Sequence, residues 1–186
     1  MIGLVIGPLI GDGLQGRGDY RMLDADLIAR FKAVKLLSLD LDGTLTDGGL
    51  YYAEDGSELR KYFVQDGFGM LLVREAGIEL CLITMSDTPS IQKRIDRLKI
   101  RHGHMGVRHK LPRLQQICAE LGIGLDAVCH VADDLNDLDV MQAVGLPIAV
   151  ANARPQVKDA AAYVTSASGG HGAVREVCDL LLEYRT

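Results

Sequence analysis

No run of lysine and arginine occurs anywhere in the 186 residues, and the chain carries a formal net charge of -5. Phosphate backbones are bound by clustered cations, so this absence argues against a nucleic-acid partner. No C-x-x-C pair joins Cys81, Cys118, Cys129 and Cys178, which removes the spacing that zinc and redox motifs use. Cys81 and Cys129 fall inside apolar runs and read as buried free thiols, which suits a reducing cytoplasm. The apolar start, Met1 to Ile10, lacks a basic flank and is broken by Gly7 and Pro8, so it reads as neither a signal peptide nor a membrane span. Internal repeats and low-complexity segments are missing as well, and no linker divides the chain.

What remains is a chain that is 48% hydrophobic and 24% charged, the balance of one soluble globular domain. An acidic protein acting on an anion must carry its positive charge locally, as a metal or as a few placed basic residues. Residues 1–20 contain Gly11-Asp12-Gly13-Leu14-Gln15-Gly16-Arg17-Gly18, which lacks the strand and the Lys-Ser/Thr of a phosphate loop. That stretch reads as a flexible arm ahead of a single domain over 21–186.

The stretch around which the rest is organised runs from Val34 to Gly48. An apolar run through Leu36, Leu37 and Leu39 ends abruptly in Asp40 and Asp42, which reads as a buried strand with charge at its carboxyl end. Two carboxylates so close repel unless a cation separates them or one keeps a proton, so the pair points to a divalent metal or an acid/base couple. Upstream, Leu27, Ile28, Phe31 and Val34 keep a helical period. Downstream, Leu50-Tyr51-Tyr52 and Leu59 to Phe63 flank Asp55-Gly56, the signature of a hairpin with a type I′ turn. Asp66 opens a helix, and Glu79 to Thr84 is a second buried strand. A helix started by Pro89, a short strand near Ile100 and an amphipathic helix from Lys110 follow. Val128 to Ala132 is a third buried strand, ending in Asp133-Asp134-Leu135-Asn136-Asp137. Strands at Pro147 to Val150 and Tyr163 to Thr165, then a helix from Gly172 to Leu182, complete the chain. This alternation calls for an α/β fold, a mostly parallel, doubly wound sheet whose strand ends share one crevice.

Asp40 with Asp42, Thr84, Lys110, and Asp133 with Asp134 and Asp137 all fall at strand ends or a helix start. Asp40 and Asp133 suit a hard cation such as Mg²⁺, Lys110 suits phosphate charge, and Thr84 suits a phosphoryl oxygen. One carboxylate to attack phosphorus and one to move a proton would complete a covalent phosphoryl-transfer site. Singly, each has a plain structural use as a cap, a surface lysine or a charge favourable to a helix dipole. Their order along the chain is what argues for chemistry.

With those residues in view, the chain resembles the haloacid dehalogenase superfamily. Asp40-Leu41-Asp42-Gly43-Thr44-Leu45-Thr46-Asp47-Gly48 is similar to its first motif, Thr84 to the second, Lys110 to the third, and Ala132-Asp133-Asp134-Leu135-Asn136-Asp137 to the fourth. The hairpin, Asp66-Gly67-Phe68-Gly69 and the tail from Gly169 to Leu181 resemble the 3-deoxy-D-manno-octulosonate 8-phosphate (KDO 8-phosphate) phosphatases. The resemblance implies a Rossmann-like core with only a hairpin inserted, at about 49–63, and no cap domain. It implies Asp40 as nucleophile and Asp42 as acid and then base. It also implies Mg²⁺ on Asp40, Asp133 and the backbone carbonyl of Asp42, supported by Asp134 and Asp137. Lys61, Asp66, Gly67 and His171 would bind substrate, and a homotetramer would close each site with a neighbouring subunit.

Three positions depart from that pattern: Met85-Ser86 stands for Gly-Arg, and Gln65 and His171 each stand for an arginine. Ala132 in place of glycine is a milder change. Lost arginines bear on substrate identity more than on catalysis, because the guanidinium fork suits carboxylates. A nine-carbon sugar-acid 9-phosphate, or another sugar phosphate, is the alternative substrate. A receiver-like or regulatory phosphate-binding module is the non-enzymatic alternative, against which Asp42 speaks, since a stable phospho-acceptor has no use for it. His102, His104 and His109 form a further cluster, read as a surface strand rather than a zinc site.

Overall fold

The computed structural model describes residues 23–185; the glycine-rich arm read over 1–20 lies outside them. Six strands form one parallel sheet: β1 (Leu36–Leu39), β4 (Glu79–Ile83), β5 (His102–His104), β6 (Val128–Ala132), β7 (Leu146–Ala149) and β8 (Tyr163–Val164), in the order β5-β4-β1-β6-β7-β8. Leu37 pairs with Leu80 on one side and Cys129 on the other, so β1 is central. Every residue of β1 and β6 is buried, as a sheet covered on both faces requires.

Alternation along the strands sorts side chains to two layers. Leu37, Leu39, Leu82 and Val131 pack on the face covered by α1 (Ala25–Ala33), α2 (Val64–Glu75), α3 (Pro89–Leu98) and α7 (Ala173–Tyr184). Leu36, Cys81, Ile83 and Val128 pack on the opposite face with Leu114, Ile117 and Cys118 of α4 (Lys110–Leu121) and Val140 of α5 (Leu138–Ala143). The remaining α-helix among the described residues, α6 (Pro155–Ala160), bridges β7 to β8. All four cysteines are buried and free.

Among the described residues, a two-stranded ribbon, β2 (Tyr51–Tyr52) with β3 (Glu58–Leu59), is what lies between Asp42 and α2. Its turn differs from the type I′ form expected, because only Gly56 has positive φ (+81°) and Asp55 does not. Gly56 N–H donates to Ala53 O and Ala53 N–H to Ser57 O, both at 2.9 Å, the longer loop in which one left-handed glycine closes the turn. The Asp55 carboxylate accepts from Ser57 N–H at 2.9 Å, a local bond that holds it in ordinary backbone geometry.

The start of α2 also differs. The helix begins at Val64, and Asp66 does not cap it; the carboxylate is fully buried and accepts from Arg175 N–H of α7 at 2.8 Å. The strand expected near Ile100 falls at His102–His104, because Lys99 ends α3 in the left-handed conformation and Ile100 is used for the core.

Burial pushes the Asp66 carboxyl up to about 6, against the opposing pull of Arg175 N–H and of Arg94. The folded state therefore holds this proton more tightly than the unfolded chain does, and stability falls as pH rises from about 4 to about 6. Asp66→Asn keeps the acceptor oxygen and removes the buried charge. We expect it to raise Tm by about 2 to 6 °C at pH 7.5 and to leave it unchanged near pH 4. Calorimetry at the two pH values checks this, and equal loss at both would reject it.

Candidate active site

The parallel sheet ends every strand on the same side, and that is where the predicted residues meet. Asp40 follows β1, Thr84 follows β4, and Asp133 follows β6. Together with Asp42, Asp134 and Ser86 they line a crevice of about 400 Å³. A larger groove of about 550 Å³, beside Tyr62, Phe68 and Arg94, contains none of these carboxylates, so the smaller crevice is the site.

Lys110 lies beneath the crevice floor, almost fully buried at the first position of α4. Its Nζ donates to Asp40 Oδ1 at 2.5 Å and to both oxygens of Asp137, at 2.8 and 2.7 Å. Burial disfavours the ammonium, but Asp40 and Asp137 outweigh it and hold the Lys110 pKa above its ordinary value. Asp137, expected only to support a metal, is fully buried and holds the lysine. Burial opposes its charge too, yet His130 and Lys110 keep it below the usual carboxylate range.

Asp40 and Asp133 behave in the opposite way. Burial raises both: it lifts Asp40 against the pull of Lys110, with the Asp137 charge adding to the rise, and together with the Asp40 charge it takes Asp133 to about 7 in spite of a 3.3 Å bond from Thr44 Oγ1. Two hard carboxylates that resist ionising beside one another are the donor set a divalent cation satisfies, since a +2 charge between them replaces repulsion with attraction. The residues therefore fit Mg²⁺. Asp134, by contrast, spends its Oδ1 on Leu135 N–H at 2.7 Å at the crevice edge. No group of three or more His, Cys, Asp or Glu side chains forms a metal cluster among the described residues. The strand expected at the surface is partly enclosed, with His102 buried on β5, whereas His109 is exposed at the start of α4 and makes no side-chain capping bond.

Asp42 is held from two sides. Arg60, from the end of the ribbon, donates through Nε to Oδ1 at 2.7 Å and through Nη2 to Oδ2 at 3.4 Å. Ser86 Oγ donates to Oδ2 at 2.6 Å. Arg60 is also paired with Glu58 and bonded to Thr88 Oγ1 at 2.8 Å, with its side chain almost wholly enclosed. Of the two neighbouring cations, Arg60 reaches Asp42, whereas Lys61, expected to bind substrate, does not. Ser86, read as a loss of arginine, supplies a hydroxyl to the acid.

The four proposed substrate residues fall in two pairs, neither of which lines the crevice. Lys61 is exposed and lies 3.4 Å from Asp47 and 3.2 Å from His171 Nε2. His171 Nδ1–H donates to Gly169 O at 2.9 Å, which leaves Nε2 to accept from Lys61. The tail is tied to the first loop by Gly170 N–H on Thr44 O at 3.1 Å. Asp66 and Gly67 face α7 and Arg94 rather than the carboxylates. Ser38 and His130, missed in the sequence because each sits inside an apolar strand, lie directly under the site.

A family model for haloacid dehalogenase-like hydrolases matches residues 104–177. With relatives that match nearly end to end, it shows that the chain belongs to that family. The 3-deoxy-D-manno-octulosonate 8-phosphate phosphatase KdsC of Escherichia coli (strain K12) is 42% identical over 88% of this chain and 87% of its own length. The crystal structure of the enzyme of that name from Yersinia pestis is 37% identical, covers 88% of each chain and superposes with a TM-score of 0.86. A third, from Moraxella catarrhalis, was solved in complex with magnesium ion, phosphate ion and KDO; it is 36% identical over 86% of this chain and 92% of its own, with a TM-score of 0.84.

Gly43 provides a test of this arrangement. Its φ is +87°, and a Cβ there would stand 2.0 Å from Asp133 Oδ2. Gly43→Ala must displace Asp133, so Mg²⁺-dependent phosphate release should fall at least about tenfold and the Mg²⁺ concentration for half activity should rise. A metal titration of the variant that overlays the parent's would show that Asp133 is not where the chemistry needs it.

Proposed function

We propose that the chain is a Mg²⁺-dependent phosphomonoester hydrolase acting on a small phosphorylated sugar acid, 3-deoxy-D-manno-octulosonate 8-phosphate. The carrying observation is the convergence of Asp40, Asp42, Thr84 and Asp133 on one crevice above the buried Lys110. The identity with the phosphatases named above supports the substrate.

In this reading Asp40 attacks phosphorus and forms an aspartyl-phosphate, while Lys110 fixes its Oδ1. Asp42, oriented by Arg60 and Ser86, gives a proton to the departing alkoxide oxygen. It then takes one from the water that cleaves the acyl phosphate. The Thr84 hydroxyl bonds a phosphoryl oxygen. Mg²⁺, held by the Asp40 and Asp133 carboxylates and the Asp42 carbonyl with Asp134 and Asp137 in support, would neutralise phosphoryl charge. Lys61 and His171 face the sugar acid from the rim, and Asp66 and Gly67 act by seating α2 against the start of the tail helix.

Because Met85-Ser86, Gln65 and His171 stand where arginines would bind a carboxylate, a nine-carbon sugar-acid 9-phosphate or another sugar phosphate is the second reading. Phosphate release across a panel of phosphorylated sugar acids separates the two. In the same assay Asp40→Asn should abolish turnover while remaining folded, Asp42→Asn should lose about 10²- to 10⁴-fold, and EDTA should silence the enzyme until Mg²⁺ is returned. Normal turnover by a folded Asp40→Asn protein would sink the assignment.

We place the enzyme in a reducing cytoplasm, supported by four buried free thiols; no helix among the described residues is long and apolar enough to cross a membrane. We also infer a homotetramer. Leu50, Tyr51, Tyr52 and Leu59 on the ribbon are 45% to 68% exposed, and a two-stranded ribbon gains stability by packing on something else. Without a cap, a neighbouring subunit is what would shield the crevice from water. Sedimentation should give a tetramer whose specific activity drops on dilution. A monomer equally active at nanomolar and micromolar concentration would refute the assembly.

A further inference from the structure

Under the crevice, five side chains form a chain of hydrogen bonds that runs from Ser38 on β1 to Asp40 just beyond its end. Ser38 and Asp40 are two residues apart at the end of β1, so both leave the strand on the same face. Ser38 is the cross-strand partner of His130 on β6, and its Oγ lies 3.0 Å from His130 Nδ1. His130 Nε2 lies 2.9 Å from Asp137 Oδ1; a carboxylate only accepts, so Nε2 carries its hydrogen. Asp137 grips Lys110 with both oxygens, and Lys110 returns to Asp40 Oδ1. Ser38, His130 and Asp137 have no exposed surface at all.

A serine and a histidine within otherwise apolar strands need bonds to offset their desolvation, and satisfying one another would be enough for that. Here, however, the second histidine nitrogen is directed at the carboxylate that holds the lysine. We propose that His130, oriented by Ser38, is a positioning residue for Lys110: it fixes the plane of the Asp137 carboxylate and through it the ammonium against Asp40. A lysine has a long flexible stem, and a displacement of about 1 Å in a charged group at a reaction centre has large rate consequences. Two anchors, one at the attacking carboxylate and one locked from behind, remove that freedom. The inference rests on the reading of Asp40 as the attacking group.

Three variants test it by phosphate release with Mg²⁺ present. His130→Phe keeps the ring and loses both nitrogens; kcat should fall about 10- to 100-fold with KM within about threefold. His130→Gln places an amide nitrogen near the Nε2 position and should recover kcat to within about fivefold of the parent. Ser38→Ala removes the orienting hydroxyl with little change in volume and should lower kcat about 3- to 10-fold at unchanged KM. A parent-like kcat in His130→Phe overturns the proposal, and so does a folded His130→Gln protein no faster than His130→Phe. If neither histidine variant folds by circular dichroism, Ser38→Ala decides, and an unchanged kcat there overturns the role. A parent protein that releases no phosphate overturns the reading of the site and this inference with it, whereas an active parent indifferent to His130→Phe overturns the positioning role alone.

Discussion

The ammonium of Lys110, enclosed between Asp40 and Asp137, is the interaction on which the rest of the site depends. A charge taken out of water costs several kcal/mol unless it is closely paired and fully hydrogen-bonded. Three carboxylate oxygens within 2.8 Å meet that condition. They also tie three distant parts of the chain together: the end of the central strand, the start of α4 and the turn after β6. Loss of Lys110 would strip Asp40 of this partner and leave Asp137 with His130 alone. The same arrangement that keeps the core intact thus keeps the attacking carboxylate oriented.

The remaining charges follow from their distance to that lysine. Asp137 is stabilised as an anion because it receives both Lys110 and His130. Asp133 receives a long bond from Thr44 and is pushed up by burial and by the neighbouring Asp40, an effect a bound cation would offset. One lysine therefore sets Asp40 and Asp137, which it bonds, apart from Asp133, which stands against Asp40 and suits a cation. Asp42 stands outside this set and is governed from the ribbon and from the loop after β4, through Arg60 and Ser86. The division separates the group that attacks from the group that moves protons.

Much of this was legible because the periodicities are local. The apolar run into Asp40, the helical period from Lys110 and the run into Asp133 each announced an element and its charged end, and the parallel sheet brought those ends together. Less was legible where a local signal had a tertiary competitor. Asp66 looks like a helix opener, yet its carboxylate is taken by Arg175 N–H of a helix that lies 109 residues later. Asp55-Gly56 looks like a type I′ turn, yet the aspartate bonds Ser57 and leaves the glycine alone in the left-handed region.

The amino-acid sequence by itself determined the alternation of strand and helix, the placing of acids at strand ends, and membership of a family that works with such acids. Each of these follows from side-chain type and spacing along a few consecutive residues. Only the tertiary structure decided which partner each acid has: that Arg60 and not Lys61 reaches Asp42, that Ser86 stands in as a donor, and that Ser38 and His130 join the support of Lys110. Those choices depend on which faces of β1, β4 and β6 are turned toward one another, and register between strands dozens of residues apart leaves no mark in the local pattern.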